Sequence, residues 1–119
     1  MPEPLESLMR ANLLDVFGER DATRRRDAIR RTYADDVVFA DAEGELRGHE
    51  ALDAKAQSIL DGAPGLAFRP AGDVYQVQDL GYLAWELGPE GQAPVVSGVD
   101  MGIVGDDGRL AKVYTVLFR

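Results

Sequence analysis

The C-terminal half of this chain alternates apolar and polar residues in runs that short glycine-rich turns separate. Alternation with a period of two is typical of β-strands with one buried face. The runs that predict strands are residues 66–77 (kinked near Pro70), 82–87, 95–104 and 110–118. Because the turns Gly88–Gly91 and Gly105–Gly108 are too short for a crossover, they predict an antiparallel meander.

The N-terminal half predicts helices, interrupted by one short strand pair. Residues recur at helical spacing along the first helix, in a stripe that is apolar except at one polar position and consists of Leu5, Met9, Asn12 and Val16. A second helix carries Arg24–Arg26, expected as a solvated face, and Tyr33–Asp36 is expected to be a helix exit and turn. A third helix is expected from His49 to Asp61. Helices first and strands later indicate an α+β domain, with a curved sheet covered by segregated helices.

Composition narrows the classes of function. The chain has 119 residues, the usual size of one domain, and its net charge is −8. Binding to nucleic acid or to an anionic membrane depends on basic residues, so neither is an expected partner. The sequence contains no cysteine and only one histidine, which excludes thiolate chemistry and gives no support to a metal site. No apolar run approaches the roughly 20 residues of a transmembrane helix, and a cytoplasmic protein is expected.

Two aspartates fall on strand faces that should be apolar. Asp41 ends the run 37–41, where alternation groups it with Val37 and Phe39. Asp100 lies mid-strand between Gly98 and Gly102 on its own face. A buried carboxyl without a cationic partner has a raised pKa, as a general acid or base working near neutrality requires. The alternatives are a turn cap for Asp41 and a carboxylate held by backbone or solvent at the sheet rim for Asp100.

The order of elements and two local motifs resemble one superfamily. The motifs are Tyr33-Ala34-Asp35-Asp36-Val37-Val38-Phe39-Ala40-Asp41, and Gly98-Val99-Asp100 leading to Gly108-Arg109-Leu110. The whole chain, taken as a single domain of residues 1–119, resembles the nuclear transport factor 2-like superfamily, in its SnoaL-like and ketosteroid-isomerase-like branch. The resemblance implies a cone-shaped half-barrel of curved antiparallel sheet wrapped around about three helices, with a central apolar pocket.

The resemblance also implies roles for residues. Asp41 falls where ketosteroid isomerases carry their general base, and Asp100 where they carry a protonated aspartic acid that hydrogen-bonds the developing enolate. In SnoaL-like polyketide cyclases a single acid/base aspartate on the late strand again corresponds to Asp100. The isomerase's oxyanion tyrosine on the first helix has no counterpart before Thr32, and the nearest matching position is Asn12. The Asn12 amide could donate to a substrate oxygen, or it could make a structural hydrogen bond.

The pocket walls are expected from the apolar residues that share these faces, although aromatic residues on strands are often simply core. The expected lining residues are Phe39, Phe68, Trp85 and Val16. No metal and no cofactor is expected.

Three functions remain open at this point. The first is a cofactor-independent acid/base enzyme, an isomerase or cyclase, acting on a small hydrophobic molecule with a carbonyl group. The second is a non-catalytic ligand-binding or dimerisation module of the same fold. The third is an epoxide hydrolase of the limonene type, although Gly98 stands where that enzyme needs an arginine. The resemblance further implies a homodimer formed through the sheet.

Overall fold

A computed structural model of the protein describes residues 4–118. Over that range the chain forms three α-helices, one π-helix and seven strands. The helices are α1 (Leu5–Ala11), the π-helix (Asn12–Phe17), α2 (Ala22–Thr32) and α3 (His49–Asp61). The strands are β1 (Tyr33–Asp41), β2 (Gly44–Arg47), β3 (Ala67–Pro70), β4 (Tyr75–Val77), β5 (Leu80–Gly88), β6 (Val96–Val104) and β7 (Leu110–Leu117). None of these helices is long and apolar enough to cross a membrane.

The strands form one curved, unclosed sheet in the order β2-β1-β7-β6-β5-β3, with β4 also paired to β5. The predicted meander of β5, β6 and β7 is confirmed, with Asp100 opposite Leu83 on one side and Thr115 on the other. One pairing departs from the antiparallel expectation, because β1 runs parallel to β7. That pairing brings the end of β1 beside the centre of β7, next to the strand that carries Asp100. The α+β class and the half-barrel are therefore confirmed.

The core lies between the concave face of the sheet and the helices. Its fully buried members include Met9 and Leu13 from the first helical segment, Leu52 from α3, and Leu83 and Val113 from the sheet. Such packing contributes most of the stability of helices this short, because isolated helices of this length are marginal in water.

Three local predictions are wrong. Tyr33–Asp36 is the start of β1 and not a turn, because Tyr33 pairs with Leu110 and is fully buried. The single strand 66–77 is two strands, β3 and β4, that pair with different parts of β5. Arg25 is only 1% exposed, although a solvated helix face was expected for it. Its guanidinium bonds Asp53, Gln57 and the carbonyl of Glu19, so the buried charge is paired.

Candidate active site

Asp100 lies in the middle of β6 and is 5% exposed. Its Oδ1 accepts hydrogen bonds from the indole Nε1 of Trp85 at 2.9 Å and from the Thr115 hydroxyl at 2.7 Å. Its Oδ2 accepts one from the Asn12 amide at 2.7 Å. The sheet register explains this arrangement, since Thr115 is the cross-strand partner of Asp100 and Trp85 follows its other neighbour, Leu83, by two residues. Three neutral donors therefore hold the carboxyl group.

The Asn12 side chain links Asp100 to a second buried group. The hydroxyl of Tyr33 donates to Oδ1 of Asn12 at 2.5 Å, and both residues are fully buried. Asn12 begins the π-helix. This form is rare in proteins overall, and where it occurs it is often at a functional site. Because the Tyr33 hydroxyl occupies the amide oxygen, the amide nitrogen is left to face Asp100. Among the described residues every buried side-chain nitrogen and oxygen has a hydrogen-bond partner.

This environment raises the pKa of Asp100 above its ordinary value. Burial is the main cause, and the bonds from Thr115, Trp85 and Asn12 oppose it without overcoming it. Burial also raises the pKa of the Tyr33 hydroxyl, to which the Asp100 charge adds. The carboxyl of Asp100 therefore holds its proton more tightly than the carboxyl of a solvent-exposed aspartate does.

Asp41 has a different environment, at the end of β1. Its Oδ1 accepts the backbone N–H of Glu43 at 2.9 Å, so it caps the turn into β2. Its Oδ2 lies 2.9 Å from Nζ of Lys55 on α3, and the two side chains are 17% and 19% exposed. The ammonium of Lys55 also bonds Glu43 at 2.5 Å. The Oδ1 atom of Asp41 therefore caps the turn, as one alternative expected, and its Oδ2 atom faces Lys55.

The pKa of Asp41 is lowered, which corrects the expectation of a carboxyl without a cationic partner. Burial acts to raise this pKa, but the hydrogen bond and charge of Lys55 and the backbone N–H groups of Glu43 and Gly44 outweigh it. The same contacts, with Glu43 first and Asp41 second, raise the pKa of Lys55. Asp41 and Lys55 are therefore an ion pair at neutral pH.

Both aspartates line one cavity of about 390 Å³ between the sheet and the helices. The lining residues are Leu13, Phe17, Phe39, Asp41, Ala42, Glu43, Lys55, Ile59, Phe68, Trp85, Leu87, Val96, Asp100, Thr115 and Leu117. Most are apolar, and the volume is within the range of small-molecule sites. Of the residues expected in the wall, Phe39, Phe68 and Trp85 line this cavity. Val16 does not, because the π-helix turns Leu13 and Phe17 toward the cavity and leaves Val16 fully buried in the core.

Three residues of the site escaped the sequence analysis, and only Lys55 carries a weak signal in the chain. Lys55 precedes the inward Ile59 by four residues, so helical spacing places the two on one side of α3. Counting the register out of the Gly105–Gly108 turn would place Tyr114 opposite Asp100, and the register shift between Ile103 and Val104 makes Thr115 the partner instead. Tyr33 has no such signal, because its partner Asn12 lies on another element.

Residues 4–118 contain no group of three or more histidine, cysteine, aspartate or glutamate side chains that could hold a metal ion. The polar side chains that line the cavity are instead the carboxyls of Asp41, Glu43 and Asp100, together with Lys55, Trp85 and Thr115. Such a set can bind a polarised oxygen and exchange protons with a ligand.

Comparisons with known proteins agree with this fold. The family sequence model of the SnoaL-like domain matches residues 11–113 of the chain. A solved structure of a proposed isomerase of the SnoaL-like family from Agrobacterium tumefaciens superposes with a TM-score of 0.87 at 21% identity, covering 95% of this chain and 96% of that one. A nuclear transport factor 2-like protein of unknown function from Exiguobacterium gives 0.71 at 17% identity, covering 92% and 98%. A proposed SnoaL-like polyketide cyclase from Jannaschia gives 0.71 at 19% identity, covering 98% and 90%. No curated protein sequence matches the chain.

Proposed function

The chain belongs to the SnoaL-like domain family, and we propose that it is a cofactor-independent acid/base enzyme that moves a proton next to a carbonyl group. One observation carries the proposal: the two aspartates of the cavity, Asp41 and Asp100, have surroundings that shift their pKa values in opposite directions. A pair of carboxyls divided in this way can serve as base and acid at one pH. The structural relatives described as a proposed isomerase and a proposed cyclase have the same fold.

The two environments assign the roles. Asp41 is charged and accepts the proton when the C–H bond beside the carbonyl breaks. The electron pair of that bond becomes the carbon–carbon double bond of the enol, and the carbonyl oxygen gains negative charge. Asp100, which holds its proton more tightly, donates a hydrogen bond or its proton to that oxygen. Return of the proton from Asp41 to a different carbon gives isomerisation. In aldol-type cyclisation the nucleophilic carbon instead attacks a second carbonyl, whose C=O π bond breaks and whose oxygen takes the proton from Asp41.

The walls limit the substrate class. Phe39, Phe68 and Trp85 present ring faces and edges, and Phe68 and Trp85 pack edge to face with centroids 5.4 Å apart. A cavity of about 390 Å³ with such walls suits a small, largely apolar ring compound. The substrate that we propose is therefore a hydrophobic ketone or polyketide-like molecule that carries an enolisable position.

Asn12 takes a role other than direct oxyanion donor. Its amide nitrogen already donates to Asp100 and its oxygen already accepts from Tyr33, so we assign it to orienting Asp100. An acid held by such a chain keeps its position while the substrate changes charge.

Hydrogen–deuterium exchange at the enolisable position tests the proposal. Small cyclic ketones are incubated in D₂O with wild type, Asp41→Asn, Asp100→Asn and, as a matched control, Asp106→Asn at an exposed turn. We expect catalysed exchange in wild type and in the control, and a decrease of about 100-fold or more in each of the other variants. Exchange that is equal in all four proteins contradicts the proposal.

A ligand-binding module is the second candidate. The observation that favours it is the complete pairing of Asp100 with three donors, which a purely structural carboxyl would also show. Tight binding of apolar phenols with no exchange of any ketone would establish this role. An epoxide hydrolase of the limonene type is not proposed, because Asn12, Trp85 and Thr115 occupy the hydrogen-bonding positions around Asp100.

The homodimer also stays a proposal. On β7, Tyr114 and Val116 point to the outer face and are 38% and 46% exposed, and Phe118 beyond it is 52% exposed. Such an apolar strip suits contact with a second copy of the sheet. Light scattering of wild type and of Val116→Asp tests it: we expect the dimer mass for wild type and the monomer mass for the variant.

A further inference from the structure

Lys55 lies where helix α3 meets the end of β1, in the wall of the cavity. Its Nζ contacts Oδ2 of Asp41 at 2.9 Å and Oε1 of Glu43 at 2.5 Å. Glu43 is 81% exposed and its attraction is screened by water, whereas Asp41 is 17% exposed. The contact with Asp41 is therefore the less solvent-exposed of the two, although Glu43 contributes more to raising the pKa of Lys55.

The residue type at this position is unusual for the chain. The sequence has eleven arginines and only two lysines, Lys55 and Lys112. Lys112 lies at the outer face, 3.6 Å from Glu45 and over the ring of Tyr114. Lys55 is instead confined between a helix and a turn, where a compact ammonium with three N–H groups can reach two carboxylates. These two lysines make a matched pair for experiment, one in the cavity and one outside it.

The charged groups around Asp41 come from three directions. Lys55 approaches from α3, Glu43 from the turn after β1, and Asp100 faces the same cavity from β6. Two of these groups are acidic, and a negative charge on either one disfavours ionisation of Asp41. Lys55 is the cation in contact with it among the described residues. Without Lys55, Asp41 would keep only the backbone N–H groups of Glu43 and Gly44 to favour its charged form.

We propose that Lys55 is a positioning residue, which holds the Asp41 carboxylate charged at the cavity wall, so that Asp41 accepts the substrate's proton while Asp100 donates to its oxygen. The inference deepens the proposed function and depends on it. Lys55 acts here through Asp41 and needs no contact with the substrate.

The first test follows the Asp41 carboxyl itself and needs no turnover. Protein labelled with ¹³C at aspartate carboxyls is titrated by NMR, with Asp41→Asn used to assign the signal. We expect Lys55→Met to raise the midpoint of the Asp41 titration by about one pH unit, because a cation in contact is removed. Lys55→Arg should stay near the wild-type midpoint, and Lys112→Met should leave it unchanged. An unchanged midpoint in Lys55→Met overturns the proposal.

The second test uses the exchange of ketone protons as a function of pH. The acidic limb of the wild-type profile reports the base in its charged form. We expect this limb to move to higher pH in Lys55→Met, by the same interval as the NMR midpoint, and to return in Lys55→Arg. If Lys55→Met does not fold, Lys55→Gln replaces it, since glutamine keeps a donor and lacks the charge.

The two tests separate the two proposals. A shifted NMR midpoint without any catalysed exchange supports the effect of Lys55 on Asp41 and overturns the enzyme. A normal exchange profile with an unshifted midpoint overturns the role of Lys55 and leaves the enzyme standing.

Discussion

The amide of Asn12 donates to Asp100 across 88 positions of sequence, at 2.7 Å in the buried centre of the protein. Tyr33 fixes the direction of that amide, because its hydroxyl occupies the Asn12 oxygen at 2.5 Å. The chain Tyr33–Asn12–Asp100 therefore joins β1, the π-helix and β6 in one polar network. Asp100 gains a donor that limits the rise of its pKa, and its orientation depends on a residue that it does not touch.

Tyr33→Phe tests whether this network stabilises the folded protein. The change removes one hydroxyl, keeps the ring, and leaves the buried oxygen of Asn12 without its donor. We expect the free energy of unfolding, measured by urea denaturation, to fall by about 1–3 kcal/mol. Tyr75→Phe is the control at an exposed ring, 64% accessible, and should change it by less than about 0.5 kcal/mol. Equal stability of the two variants would show that the Tyr33 hydroxyl adds nothing.

The free energy of unfolding of Asp100→Asn should rise relative to that of wild type as the pH rises. The folded protein holds the Asp100 proton above its ordinary pKa of 3.8, so this carboxyl stabilises the fold below 3.8 and loses that contribution as pH rises through the folded value. Asparagine removes the cost of burying the charge, and it sets an N–H₂ group against the Asn12 amide nitrogen, a cost that does not vary with pH. Urea denaturation from pH 3.5 to 7.5 should therefore show a gain for the variant that grows with pH.

Asp41→Asn is the matched variant with the opposite sign. The folded pKa of Asp41 lies below its ordinary value of 3.8, so this carboxylate stabilises the fold above 3.8 and the contribution is lost as pH falls through the folded value. We expect the variant to lose stability at neutral pH relative to wild type, and to match it in acid. The same pH dependence in both variants would contradict the assignment of opposite environments.

The parts of the fold that local pattern determines could be predicted from the sequence. Helix α3 begins at His49 and ends at Asp61 as predicted, because its stripe is regular and Gly62 stops it. The strands β5, β6 and β7 follow from alternation and two tight turns. The position of Asp100 on an inward face follows from the same alternation.

The parts of the fold and of the site that depend on distant partners could not be predicted from the sequence. Tyr33 lies in a strand because it pairs with Leu110, and Arg25 is buried because Asp53 and Gln57 on α3 receive it. Asp41 was expected to lack a cationic partner, and it has one because Lys55 on α3 contacts it. Each of these outcomes depends on a tertiary contact that no window of sequence contains.

Trp85 offers a direct measurement of the Asp100 proton. It is the only tryptophan of the sequence, and its Nε1 donates to Oδ1 of Asp100 at 2.9 Å. We expect its fluorescence to change with pH at a midpoint above 3.8, because protonation of the carboxyl weakens this charge-assisted bond. Asp100→Asn should abolish the transition and Asp41→Asn should retain it. A transition that persists in Asp100→Asn would assign it to another group.

Gly98→Ala should disturb the site through Trp85. A methyl group at Gly98 would clash with the backbone carbonyl of Val116 and lie 2.9 Å from Cζ2 of Trp85, so both β7 and the indole must shift. We expect a loss of about 1–3 kcal/mol in the free energy of unfolding, together with a changed midpoint of the Trp85 fluorescence transition. Gly62→Ala is the control, because its nearest atoms are 3.7 Å away and its φ of −83° suits alanine. Since Gly98 has no polar side chain of its own, a midpoint that moves in Gly98→Ala and stays in Gly62→Ala would show that the packing of Trp85 and β7 around Gly98 tunes the proton affinity of Asp100.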